Sequence, residues 1–112
     1  VASKLNITID QGSDVTFDIE LEDSNGIPLD ITTYTARSML RKHYQSTNSI
    51  SFTCDTTSNG ANGILILSLT ANQTANIVAG RYVYDIELVS EANVVTRVIE
   101  GLATITPEVT KQ

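Results

Sequence analysis

An all-β antiparallel sandwich of about seven strands with one short helix is the architecture this sequence predicts, on three observations. First, 36 of the 112 residues are Val, Ile or Thr, and side chains branched at Cβ suit a pleated surface better than a helix. Second, apolar and polar residues alternate with period two in most segments, which buries one face of each strand and wets the other. Third, turn signals rich in Gly, Asn and Asp recur at near-regular spacing. A length of 112 residues is one domain's worth, so residues 1–112 are expected to form a single β-sandwich domain. With 41% hydrophobic residues and a mean hydropathy of +0.01 there is material for a core, and no apolar run approaches the ~18–20 residues of a membrane span. No basic segment followed by an apolar stretch opens the chain, so no secretory signal is expected within it.

The first strand is expected where Leu5, Ile7 and Ile9 alternate with Asn6, Thr8 and Asp10. Gln11-Gly12-Ser13 turns the chain into the cleanest strand, in which Val15, Phe17, Ile19 and Leu21 face one way and Asp14, Thr16, Asp18, Glu20 and Glu22 the other. Asp23-Ser24-Asn25-Gly26 then supplies residues that tolerate positive φ and cap their own backbone, so it reads as a tight turn. Ile27-Pro28-Leu29 reads as a connection or edge piece, because Pro28 cannot donate to a ladder. Tyr34 to Lys42 would make a fair helix by propensity. Its Ala36, Ser38 and Leu40 also fit a strand face, and the strand reading is taken.

Gln45 to Ser49 is a polar loop, and the strand from Ile50 to Asp55 puts Ile50, Phe52 and Cys54 on one face. Two Asn-Gly pairs in Ser58 to Gly63 mark a hairpin connection. Gly63 to Leu69 offers Leu65, Leu67 and Leu69 to one side and Ile64 and Ile66 to the other, as in a strand covered on both faces. Thr70-Ala71-Asn72-Gln73 matches the capping box of a helix start, which predicts a helix over about 71–78 stopped by Gly80 in a left-handed exit. Arg81 to Val89 follows as a strand with Tyr82, Tyr84, Ile86 and Leu88 on one face. Ser90 to Asn93 closes a hairpin onto Val94 to Thr106, which Pro107 ends. The whole pattern indicates a sandwich of immunoglobulin-like type.

The chemistry-bearing residues point away from catalysis. The lone His43 lies in a polar stretch and reads as a surface residue, since a nucleophile needs a base beside it. Asp18, Glu20 and Glu22 line one strand face, but glycosidase carboxylates sit across a cleft lined with aromatics, and there is no Trp. One Cys and one His build no zinc site, and no calcium loop or phosphate-binding glycine motif is present. The single Cys54 reads as a small core residue. Asn6-Ile7-Thr8 and Asn72-Gln73-Thr74 match glycosylation sequons, a pattern common by chance. No enzyme activity, metal or cofactor is expected.

Charge is more informative. Seven basic residues against thirteen acidic give a net charge of −6 and a pI near 4.5, which repels phosphate backbones and anionic lipid. Nucleic acid and membrane are therefore not expected partners. Leu5 to Ala36 holds seven acids and no base, whereas Arg37, Arg41, Lys42 and His43 cluster within seven positions. That segregation suggests head-to-tail contacts; alternatively the basic strand neighbours acids such as Asp85, Glu87 or Glu100 in its own sheet. Ile64 and Ile66 would form an apolar outer stripe. The expected interface residues are Arg37, Arg41, Lys42, Ile64 and Ile66.

Three stretches form a familiar set: Leu29 to Arg37 (LDITTYTAR), Ala79 to Leu88 (AGRYVYDIEL) and Thr96 to Thr110 (TRVIEGLATITPEVT). Together with the Ile7 to Gly12 opening and the Asn25-Gly26-Ile27-Pro28 turn, the chain resembles small immunoglobulin-like virion structural proteins of tailed phages, especially cyanophages. It more distantly resembles the N-terminal domain of phage baseplate upper proteins. Thr33 stands where that pattern has Gly. The resemblance implies a non-enzymatic tail or baseplate component, assembled in the bacterial host cytoplasm and resident in the virion, whose partners are other virion proteins and further copies of itself. A capsid decoration (cement) protein is the nearest alternative, and a host receptor- or glycan-binding module the alternative from another class. Exposed aromatics would favour glycan binding; apolar edges and opposed charges would favour assembly.

Overall fold

Two sheets pack face to face in the computed structural model, which describes residues 3–43 and 49–109. The strands are β1 (Ser3–Lys4), β2 (Ile7–Asp10), β3 (Val15–Glu20), β4 (Thr35–Arg41), β5 (Ile50–Ser51), β6 (Thr53–Asp55), β7 (Ile64–Leu69), β8 (Gly80–Val89) and β9 (Val95–Thr106), with one α-helix, α1 (Ala71–Ala75). The larger sheet runs β1-β9-β8-β4-β5 with β2 also on β9, and the smaller runs β3-β7-β6. Between them lies a core in which Ile9, Ile31, Leu40, Leu65, Leu67 and Ile86 are fully buried. The β-sandwich with one short helix is thus as the sequence predicts, and the expected strand over 34–42 is present as β4.

Two pairs of segments are single runs of chain, which brings the described strands to the seven expected. β1 and β2 share one register against β9, Lys4 facing Glu100 and Ile7 facing Ala103, with a break in the strand at Leu5–Asn6. Asn6 bridges that break, its Oδ1 accepting from Leu102 N at 3.1 Å, so this sequon asparagine is committed to the ladder. Leu5 is correspondingly half exposed. β5 and β6 are the expected Ile50 to Asp55 strand, but it changes sheets. Ser51 pairs with Met39 of β4 and Thr53 with Ser68 of β7. Phe52 sits at the switch, its N–H on Ser38 O at 3.0 Å and its ring edge-on to Tyr84.

Three expectations need correction. The sandwich is not wholly antiparallel, because β1 and β2 run parallel to β9. Alternation fixes which face a strand buries but not its direction, and β8 already occupies the other side of β9. The helix ends at Ala75, short of the expected 78. Asn76 caps it, and Ile77 turns into the core while its carbonyl accepts from Gln11 Nε2 at 2.8 Å. Gly80 is therefore no helix stop: with φ +145° it begins β8, opposite Ile105. Finally, Val15 and Phe17 are only half-buried, because β3 is an edge strand.

The local signals otherwise act as predicted. Asp23 Oδ1 accepts from the N–H groups of Asn25 and Ile27, and Gly26 takes φ +79°. Thr70 and Gln73 form both halves of the capping box. Asn93, at φ +63°, is the one described non-glycine residue with positive φ, so the turn at Thr32–Thr33 does without a glycine. The Gln45 to Ser49 loop lies outside the described residues except for Ser49.

Candidate functional site

The five expected interface residues fall at three separate places. Arg37 and Arg41 project from β4 onto the outer face of the larger sheet, because Ala36, Ser38 and Leu40 take the inner face. Lys42 has the opposite parity and lies at the end of the sandwich, its ammonium 4.9 Å from the centroid of the Tyr82 ring. Such a cation over an aromatic face contributes about 0.5–1 kcal/mol at exposed sites. Ile64 and Ile66 occupy the outer face of the smaller sheet, since Leu65, Leu67 and Leu69 fill the core. They are half-buried rather than fully exposed. His43 is exposed, and Cys54 is half-buried against the core with its thiol pKa pushed up by burial.

On the larger sheet the basic strand does neighbour an acidic one. Arg37 stands directly opposite Glu87 in the β4–β8 register, and its Nε donates to Glu87 Oε1 at 2.7 Å. Arg97, which the sequence reading did not single out, reaches Asp85 at 3.3 Å and Glu100 at 3.6 Å from β9. Its place followed from the hairpin register, shifted by a bulge at Ile86/Glu87 that only the folded chain reveals. The arginine side chains are more than half exposed, so each pair contributes only about 0.2–1 kcal/mol. A concavity of about 390 Å³ opens here, with Met39 and Val83 among the charges. Burial raises the Asp85 pKa, and Glu87 adds to the rise while Arg97 opposes it. Three arginines and three carboxylates largely cancel on this face.

The smaller sheet is different. Its strands carry Asp18, Glu20 and Asp55 and no basic residue. Register sets Asp18 beside Ile66 and Glu20 beside Ile64 on one flank, with Asp55 beside Ile66 on the other. Asp55 is structural: its carboxylate accepts from the N–H and hydroxyl groups of both Thr57 and Ser58, which lower its pKa. Asp18 and Glu20 are exposed and take part in none of the ion pairs among the described residues. The described aromatic rings are buried or half-buried. Among the described residues there is no group of three or more His, Cys, Asp or Glu placed to hold a metal ion.

No family model matches the chain, and no curated protein matches it. Among solved structures, the crystal structure of CopC from Methylosinus trichosporium OB3b superposes with a TM-score of 0.50 over 95% of this chain and 90% of that one, at 8% identity. An internalin-like protein of Listeria monocytogenes aligns with 96% of this chain and 28% of its own, at 12% identity and a TM-score of 0.47. The likeness to CopC is one of fold alone: the chain is an immunoglobulin-like β-sandwich.

Proposed function

We propose that this protein is a non-enzymatic structural component of a tailed-phage virion, in the tail or baseplate, acting through protein–protein contacts. The observation that carries the reading is the difference between its two outer faces. One is charge-balanced around a shallow concavity; the other is acidic around Ile64 and Ile66. Faces of unlike chemistry on opposite sides of one domain can meet two different neighbours at once, as a building block must. A standard interface takes ~800 Å² per partner, and a surface of 6902 Å² accommodates two. The resemblance of three sequence stretches to phage virion proteins supplies the setting. The buried or half-buried state of the described rings favours assembly over the stacking platform of a glycan-binding module.

The test is antibody labelling of intact particles, with hydrolysis of cell-wall polysaccharide by the purified chain assayed alongside. Label at the tail tip is the expected result. Label on the capsid would replace this reading with the decoration role, and unlabelled particles or polysaccharide hydrolysis would overturn it.

A further inference from the structure

The smaller sheet ends on β3 with one side unpaired. Leu21 N donates to Gly63 O at 2.7 Å, and the β3–β7 register continues from there by twos through Ile19–Leu65, Phe17–Leu67 and Val15–Leu69. In an antiparallel ladder, residues alternate between facing the partner strand and facing away. The even residues Thr16, Asp18 and Glu20 therefore turn their backbone N–H and C=O groups outward, where no described strand lies. β3 has no proline and its register shows no bulge; of the devices that commonly blunt a strand edge it carries only charge, Asp18 and Glu20, which turns away an acidic strand but not a basic one.

We propose that this edge accepts an extended, basic segment of a partner protein as a fourth strand. This rests on the reading that the chain acts through protein contacts and adds the chemistry of one partner. Main-chain hydrogen bonds would hold the added strand, and its alternate side chains would be read by the flanking residues. Those flanking residues are Asp18 and Glu20, both exposed and outside every described ion pair. The chain itself shows the pairing rule at Arg37 and Glu87, which stand directly opposite on adjacent strands with a 2.7 Å ion pair. A second copy of this edge is the wrong occupant. Antiparallel pairing of two β3 strands about their centre would bring the acids of one against those of the other, and like charges in cross-strand register destabilise. On the outer face of the larger sheet, Arg37 and Arg97 are already committed to carboxylates of their own sheet.

The test is an NMR titration of the full chain with three synthetic seven-residue peptides: alternating lysine and valine, alternating glutamate and valine, and the lysine peptide with a central proline. Saturable shifts at the Thr16, Asp18 and Glu20 amides, with slowed hydrogen exchange there, are expected for the lysine peptide alone. The Asp18→Lys/Glu20→Lys variant should lose at least tenfold in affinity for the lysine peptide and gain the glutamate peptide. That exchange of preference excludes simple misfolding. Shifts confined to the larger sheet, binding indifferent to the variant or the proline, concentration-dependent shifts without peptide, or no saturable binding would each overturn the proposal. None of these outcomes depends on where the protein sits in a particle.

Discussion

The two sheets solve the problem of their own surfaces in opposite ways. The larger one balances the charges of its outer face. Arg37 and Arg97 meet carboxylates on neighbouring strands, and the chain returns its own N-terminal strand to β9, with Tyr84 Oη donating to Leu5 O at 2.6 Å. The smaller sheet leaves β3 open and keeps its acids on one face without a counter-charge in its strands. Cross-strand ion pairs of the first kind add little stability, so their main effect is to cancel the field of that face. Both sheets end on strands with an open side, but only on the smaller one does such an edge, β3, lie beside carboxylates that none of the described ion pairs neutralises.

The sharpest way to break this contrast lies within β7. Leu67 is fully buried and Ile66 half-buried on the outer face. Leu67→Ala should cost about 2–5 kcal/mol by opening a cavity, read as a large fall in the urea midpoint. Ile66→Ala should cost less than half as much. Equal losses would mean that the outer face serves the fold as much as the core does.

Next in size is the closure of the larger sheet. A Cβ on Gly101 would run into the carbonyl of Leu5, in the break between β1 and β2. Gly101→Ala should destabilise by about 1–3 kcal/mol, as overpacking does, and should speed amide exchange at Leu5, whose N–H bonds Glu100 O at 2.9 Å. Undisturbed exchange there would show that the N-terminal strand does not depend on this approach.

Thr70→Ala follows at about 0.5–2 kcal/mol, because the Thr70 hydroxyl accepts from Gln73 N at the start of α1, on the connection from β7 to β8. An unchanged denaturation midpoint would refute the cap's contribution.

The smallest effect separates the sheets by pH. Hydrogen bonds from Ser58 and Thr57 lower the pKa of Asp55 in the folded state. Its contribution is therefore present above the unfolded value, about pH 4, and is lost as pH falls through the lower folded value. Asp85 is raised by burial and by Glu87, so its contribution has the reverse sign: it is present below about pH 4 and lost as pH rises through the folded pKa. Asp55→Asn should flatten the acid-side loss of stability, whereas Asp85→Asn should steepen it. Acid titrations of the two variants that change alike would contradict the assigned environments.

Much of this was readable along the chain, because the signals are local. Period-two alternation placed β3, β7 and β8, and the Thr70 to Gln73 box and the Asp23 to Gly26 turn carried their own hydrogen-bond partners within a few residues. The candidate surface was only partly legible. Arg37 and Arg41 were found by charge clustering, but their separation from Lys42 by strand parity, and from Ile64 and Ile66 by the thickness of the sandwich, needed the fold. Arg97 stayed hidden because its cross-strand partner, Asp85, lies across a register that the bulge at Ile86/Glu87 shifts.

What the sequence alone determined is each strand's buried face, the turns and the start of the helix, since these depend on neighbours at most four residues away. Tertiary structure decided the rest. The parallel seat of β1 and β2, the crossing of Ile50 to Asp55 from one sheet to the other at Phe52, and the helix ending at Ala75 depend on which distant backbone groups remain unpaired. Gln11 reaches Ile77 from 66 residues away, Leu102 reaches Asn6 from 96 beside the room that Gly101 leaves for Leu5, and Ser38 accepts from Phe52. Pairing of that kind is a property of the closed sandwich, and no periodicity along the chain encodes it.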